Sequence, residues 1–248
     1  MTPFSVFMGL MMLLVIWQGF SLVLNRPILP SPVTVLPIFF RSLFGDLGLH
    51  LLASAGRVLA AMSLAVLTAV PAGLALGQMH KVDRFLDPLI AIFYPIPKIV
   101  FLPVIYVLMG ITDLSKIFLI ALIVFFQILV VVRDEAANLH PELILSVRSL
   151  GAGRRGLFRY VYLPASLPAM LTALRISVGT AIAVLFIAEQ SLTTYGLGYY
   201  IVVETYQVLL YPEMYCGILG MGLLGLALYF VIHTIEARIH RYRYSEEG

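Results

Sequence analysis

The run IFLIALIVFFQILVVV, residues 117–132, carries one polar side chain, Gln127, in an otherwise apolar stretch. Runs of this kind recur along the chain, several close to the length of about 20 residues needed to cross a hydrocarbon core roughly 30 Å thick. The chain is therefore read as an all-α, polytopic membrane protein. Its 248 residues are 61% hydrophobic and only 12% charged, against roughly 25% charged in a soluble domain. No separate soluble domain fits beside the spans, so residues 1–248 are read as one transmembrane domain.

Six spans are expected, at about 4–24, 53–79, 87–110, 115–132, 166–190 and 213–235. The first lacks a basic leader and a convincing cleavage site, which makes it an anchor and not a signal peptide. Four prolines interrupt residues 26–37, and residues 34–44 are expected to form a short interfacial helix. The third span holds Pro88, Pro95, Pro97 and Pro103. Each proline removes a helix N–H, so this span is expected to be kinked or broken where neighbours re-satisfy the freed carbonyls.

Six spans place both termini on one side, and the basic residues choose that side. Lys81, Arg84, Arg133, Arg148, Arg154, Arg155, Arg159, Arg238, Arg241 and Arg243 fall on one face under this topology. Arg26, Arg41 and Lys116 fall on the other. Cytoplasmic loops carry the excess of Lys and Arg, so both termini are expected in the cytoplasm of a bacterial inner membrane. The same rule accounts for the net charge of +3 without a nucleic-acid partner. The single cysteine, Cys216, excludes an internal disulfide. The five histidines (His50, His80, His140, His233, His240) share no metal-ligand spacing.

Residues 133–165 form the longest polar stretch, with helix formers on both sides of Gly151-Ala152-Gly153. The apolar positions Leu143, Ile144, Val147, Leu150, Leu157 and Val161 suit two short amphipathic helices joined at those glycines. The segment GAGRRG also fits the dinucleotide fingerprint, but no strand precedes it and Ile176 stands near the expected acidic position. No phosphate-binding G-x-x-x-x-G-K-[ST] occurs, so ATP hydrolysis by that chemistry is not expected here.

The stretch VRSLGAGRRGLFRYVYLPASLPAMLTALRI resembles the coupling loop and fifth span of ABC importer permeases. Their pattern is Glu-Ala-Ala, three residues, Gly, nine residues, Ile, one residue, Leu-Pro. Anchored on Leu163-Pro164, the Ile position falls on Val161 and the glycine on Gly151. The Glu-Ala-Ala slot then falls on Leu145-Ser146-Val147. The letters Glu135-Ala136-Ala137, in RDEAANLH, are out of register: six residues past Glu135 lies Pro141, not glycine. Further segments, ILPSP, HLLASAGRVLAA, FLDPLI, YPIPKIVFLP and AEQSLTTYGLGYYI, resemble the nitrate/sulfonate/taurine/bicarbonate branch along nearly the whole chain.

The resemblance implies a non-catalytic permease subunit with a cytoplasmic helix-turn-helix coupling loop between spans four and five. It implies two permease copies, read as a homodimer, two ATPase subunits that bind ATP and Mg, and a periplasmic or lipid-anchored binding protein. The chain itself would need no cofactor. ATPase coupling would fall on Leu145, Ser146, Val147, Arg148, Leu150, Gly151, Gly153, Arg154, Val161, Leu163 and Pro164. Gly151 and Gly153 would permit a tight turn, and Pro164 would end one helix and start the next.

Four charges lie at membrane depth: Arg57, Lys98, Arg175 and Glu189. A charge at mid-bilayer costs about 2.5–3.5 kcal/mol on insertion scales, so each calls for a reason. Arg57 is near enough to the outer side to snorkel. Lys98 and Arg175 are expected to give the pathway positive potential for a small anionic solute, or else to pair with backbone carbonyls or partner subunits. Arg175 and Glu189 fall within roughly 40° of one helix face but about 21 Å apart, too far to pair in a straight helix. A secondary transporter or channel independent of an ATPase is the alternative. A secondary transporter would need inverted repeats and mid-depth carboxylates, and the two halves of the chain do not resemble each other. An intramembrane hydrolase would need a nucleophile and base within the spans, and none stands out.

Overall fold

The computed structural model describes residues 3–190 and 193–244; for Pro3, Arg154 and residues 240–244 only the backbone is described. The candidate residue Arg154, with the tail arginines Arg241 and Arg243, thus lies outside the described side chains. Within these limits every regular element is helical. Five helices are long and apolar enough to cross a membrane, and a bent pair raises the number to six. By clustering of contacts the chain divides into two compact units, Met1–Ala55 with Phe186–Leu224, and Gly56–Leu185 with Gly225–Gly248.

In the first unit, α1 (Pro3–Leu24) is apolar on all sides, and none of its most hydrophobic window is buried. That pattern suits a helix solvated by lipid. Its last turns are tied to the following loop: Trp17 Nε1–H donates to the Pro30 carbonyl at 3.0 Å, and Ser21 Oγ donates to Leu29 O at 3.0 Å. Next comes α2 (Pro32–Leu43), the expected interfacial helix, begun by Ser31 as N-cap and Pro32 in the first turn. It buries Val35 and Phe39 while Val33 and Phe40 stay exposed.

The helix α3 (Asp46–Gln78) starts seven residues earlier than the expected 53. Asp46, Gly48 and His50 interrupt the leucines of those first two turns. Its later part, in the second unit, meets α6 (Asp113–Ala137) at close range. A Cβ placed on Gly73 would stand 3.0 Å from Leu129 O and from Val132 Cβ. One on Gly77 would stand 2.6 Å from Ala136 Cβ and 2.7 Å from Arg133 O. Gly73 and Gly77 form the G-x-x-x-G spacing that lets membrane helices approach backbone to backbone. At its other end α6 begins with a reciprocal cap, in which Thr112 and Ser115 side chains accept each other's backbone N–H.

The proline-rich third span is broken. The helix α4 (His80–Phe93) stops at Tyr94-Pro95-Ile96-Pro97, a 3₁₀ turn covers Lys98–Phe101, and α5 (Leu102–Met109) follows at an 81° bend. After α6 come α7 (Pro141–Ser149), a turn, and the short α8 (Arg154–Leu157). Here one expectation fails. Pro164 does not separate two helices: α8 passes through a π-helical turn, Phe158–Tyr162, straight into α9 (Leu163–Glu189). Residues Arg155–Glu189 thus make one 35-residue span rather than one beginning at 166. The wide turn, in which the Leu163 N–H reaches Phe158 O, takes up the register where Pro164 has no N–H to give. The short α10 (Leu197–Tyr199), a second π-helical stretch, Tyr200–Tyr206, and α11 (Tyr211–Tyr244) complete the chain.

Candidate coupling site and the buried charges

The loop between α6 and α9 is built from two unlike halves. On the α9 side, Val161 and Tyr162 are buried, so the π-helical turn is anchored in the second unit. Leu163 is half-buried and Pro164 is exposed. On the other side, α7 buries no residue at all. Leu145 is 62% exposed and Leu150 84% exposed; Ser146 and Arg148 are exposed, and Val147 is half-buried. Of the apolar positions that the sequence assigns to the amphipathic face, Leu143 and Leu150 are exposed, Ile144, Val147 and Leu157 are half-buried, and Val161 is buried. Between the halves, Gly151 has φ +84°, a left-handed conformation that disfavours any side chain. Its N–H closes the turn onto Arg148 O at 3.0 Å. Gly153 has a normal φ and open space around it.

The letters Glu135-Ala136-Ala137 lie at a helix contact. Ala136 is buried against Gly77, and Ala137 N stands 2.9 Å from the position of a Gly77 Cβ. Arg133, beside them, pairs with Asp87 at 2.8 Å and Asp134 at 3.0 Å, with Asp83 at 3.7 Å. That cluster ties α4 to the end of α6.

Each of the four charges at membrane depth has named partners. Arg57 does not snorkel: it is buried, and its Nε and Nη2 reach Asp113 Oδ1 at 2.8 and 2.7 Å. Asp113 is the first residue of α6, where the helix dipole favours a carboxylate. Lys98 is also buried, and its ammonium donates to the carbonyls of Phe93, Tyr94 and Ile96 at 2.9, 3.1 and 3.4 Å. These carbonyls belong to the break in the span, where Phe93 O also accepts the Ile96 N–H at 3.3 Å, and the ammonium lies 4.6 Å from the centroid of Phe126. Arg175 stands beside Glu236, Nε to Oε2 3.0 Å, and donates from Nη1 to Tyr229 Oη at 3.1 Å.

In the first unit Glu189 is fully buried. Its carboxylate stands 2.7 and 2.9 Å from Ser54 Oγ and accepts the Gly198 N–H at 3.1 Å. Ser54 Oγ in turn accepts the Leu197 N–H at 2.8 Å. Close by, His50 Nδ1 meets the Gly196 backbone at 3.1 Å, and Nε2 stands 3.2 Å from Glu204. Glu189, Ser54 and His50 thus hold the 196–198 backbone that opens α10. Sequence reading missed Ser54, His50 and Glu204, and also Asp113, Tyr229 and Glu236. The family-like segments AEQSLTTYGLGYYI and HLLASAGRVLAA contain the loop and its α3 partners His50 and Ser54, but nothing in either segment pairs the one with the other.

Residues 65–242 match the model of the binding-protein-dependent transport system inner membrane component. The chain belongs to this family. The permease is 31% identical to the taurine transport system permease protein TauC of Escherichia coli (strain K12), over 92% of this chain and 85% of that one. It is 27% identical to the putative aliphatic sulfonates transport permease protein SsuC of Bacillus subtilis (strain 168), over 95% and 86% of the two chains. Among solved structures, a chain of the MetNI methionine ABC transporter in an inward-facing conformation superposes with a TM-score of 0.64 at 19% identity. The superposition covers 78% of this permease and 96% of that chain, and it shows the shared fold. The permease is thus a multi-pass subunit of an ATP-driven importer.

Proposed function

We propose that two copies of this permease form the pathway for a small sulfonate-like solute, and that α7 transmits the movement of a partner ATPase to it. The observation that carries the coupling role is α7 itself: a helix with Leu145 and Leu150 in the open, hinged at a left-handed Gly151 and continued by a buried anchor at Val161 and Tyr162. Exposed apolar residues on a short stiff element suit a cleft in another protein. Leu145, Ser146, Val147, Arg148, Leu150 and Arg154 would enter that cleft. Gly151 and Gly153 shape the turn, while Val161, Leu163 and Pro164 carry the displacement into α9. ATP and Mg belong on the partner, two ATPase subunits per pair of permeases. The excess of Lys and Arg on the α7 side supports a cytoplasmic location for this loop and both termini.

The sulfonate class rests on the relatives, not on a positive pathway. Lys98 is occupied by carbonyls and Arg57 by Asp113, which leaves Arg175, with a quarter of its side chain exposed, as the basic pathway candidate. A binding protein outside would supply the solute. The test is reconstitution of the permease with its ATPase in proteoliposomes. Uptake should require ATP inside the ATPase-facing compartment and the binding protein on the other. Uptake at equal rate without ATP would overturn the coupling role.

A further inference from the structure

Between the end of α3 and the coupling loop, the second unit holds a cavity of about 690 Å³. That volume falls in the range of roughly 300–1,000 Å³ typical of small-molecule sites. Gln78 lines it from α3, Ile144 and Arg148 from α7, Arg155 and Leu157 from α8, and Phe158 from the π-helical turn. Ile144 and Arg148 are four residues apart, so α7 turns one face to the cavity. The exposed Leu145 and Leu150 are not on that face. Gln78 is the last residue of one span and Arg155 the first of another. The cavity therefore sits where two membrane helices end, at the depth of lipid phosphates.

Its charges are of one sign. Arg148 and Arg155 line it, and no carboxylate does. Both arginines are exposed, and among the described residues neither has an ion pair or a side-chain hydrogen bond. The aspartates near the same helix ends are taken up elsewhere: Asp83, Asp87 and Asp134 gather around Arg133. The third polar side chain, Gln78, is half-buried, and its Nε2 is buried without an acceptor. Buried polar groups are nearly always paired, so this donor marks a place for one. Two guanidiniums and an amide suit the several oxygens of a phosphate. Beside them Ile144, Leu157 and Phe158 form an apolar wall.

We propose that this cavity binds a phosphate ester through Arg148, Arg155 and Gln78. The two guanidiniums take the phosphate oxygens, the Gln78 amide turns to give a further hydrogen bond, and the organic part lies on the apolar wall. A bound ester ties α7 and α8 to the end of α3. Such a tie matters because α7 buries no residue of its own. Two sources carry this chemistry at that depth: the headgroup of an anionic phospholipid, drawn to basic pockets at span ends, and a soluble phosphate monoester. Arg148 also belongs to the surface offered to the ATPase, whereas Arg155 and Gln78 do not. Binding at those two residues is therefore separable from coupling.

The permease–ATPase complex is released from micelles of mixed phosphatidylglycerol and phosphatidylcholine, and the retained lipid is read by native mass spectrometry. A parallel sample in phosphatidylcholine alone receives glycerol 1-phosphate. The wild type should hold phosphatidylglycerol or glycerol 1-phosphate at least about tenfold more tightly than Arg155→Gln, the scale of one charge-assisted hydrogen bond. Retention of the first assigns the site to lipid, and of the second to a soluble ester; either supports it. Gln78→Glu sets a carboxylate beside the cavity and should lose retention as far. Arg84→Gln removes an exposed arginine of α4 that does not line the cavity and should retain the probe as the wild type does. Size exclusion with the ATPase shows that each variant is folded. If Gln78→Glu fails to assemble, Arg155→Gln against Arg84→Gln still decides. Retention of neither probe by the wild type, undiminished retention in Arg155→Gln, or an equal loss in Arg84→Gln overturns the site. Normal retention without ATP-driven uptake supports the site and counts against the coupling role instead.

Discussion

Gly77 on α3 lies so close to Ala136 on α6 that a Cβ at position 77 would stand 2.6 Å from the alanine methyl. The neighbouring obstacles are backbone, Arg133 O at 2.7 Å and Ala137 N at 2.9 Å, so no side-chain rotation relieves the clash. Gly77→Val should therefore force the two helices apart and cost about 1–3 kcal/mol, the usual range for overpacking. Thermal unfolding of the purified permease in detergent measures it. Gly153→Ala is the control, with nothing within 4 Å of its Cβ. An unchanged midpoint in Gly77→Val would mean that this crossing is looser than the distances imply.

Lys98 gives a second prediction. Its three carbonyl acceptors belong to residues 93–96, where α4 ends without the next helical N–H groups. Lys98→Met keeps most of the aliphatic stem and removes the donors. The three bonds are part-buried and Phe93 O keeps the Ile96 N–H, so their loss should cost about 1 kcal/mol and the variant should unfold at lower temperature. The solute preference of whatever protein survives should match that of the wild type. A changed preference at unchanged stability would give Lys98 a place on the pathway.

These two residues show how much of the molecule could be read in advance. The apolar runs, the broken third span and the glycine turn of the loop all follow from local chemistry: hydrocarbon thickness, missing proline N–H groups, and a residue that tolerates positive φ. Gly77 and Ala136 could not be matched that way, because their closeness depends on how α3 and α6 cross, 59 positions apart in sequence. The charges divide. Arg57 and Arg175 stand out as costly, but their partners Asp113 and Glu236 become visible only in three dimensions; for Lys98, backbone carbonyls were one of the two expected partners, and the 93–96 carbonyls are the ones it meets. The start of α3 was missed because Asp46, Gly48 and His50 interrupt the leucines of its first turns. Pro164 misled because a π-helical turn absorbs a proline that would otherwise mark a helix start.

The buried Glu189–Ser54 contact predicts a coupled loss. Ser54 Oγ hydrogen-bonds the carboxylate while accepting the Leu197 N–H; removing either partner leaves buried groups unsatisfied. Glu189→Ala and Ser54→Ala should each destabilise the permease, but the double variant should lose less than their sum. A double-mutant cycle on the unfolding midpoints should give a coupling of about 0.5–3 kcal/mol. Strict additivity would show that the two side chains act independently.

The register of the coupling loop gives the sharpest contrast. At Gly151 the backbone is left-handed, φ +84°, and any L side chain there costs roughly 1–2 kcal/mol of local strain. Gly151→Leu should open the turn that sets α7 against the π-helical anchor, lowering solute-stimulated ATP hydrolysis in the reconstituted complex more than it lowers the melting temperature. Glu135 is exposed in the last turn of α6, and Glu135→Ala should change stability by no more than about 0.5 kcal/mol and leave stimulation near the wild-type rate. If Glu135→Ala abolishes stimulation while Gly151→Leu preserves it, the coupling element is the segment RDEAANLH after all. The letters would then matter more than their distance from Leu163-Pro164. The packing of Ala136 on Gly77 argues for the first outcome, since a residue buried between two helices of its own chain is not available to a partner's cleft.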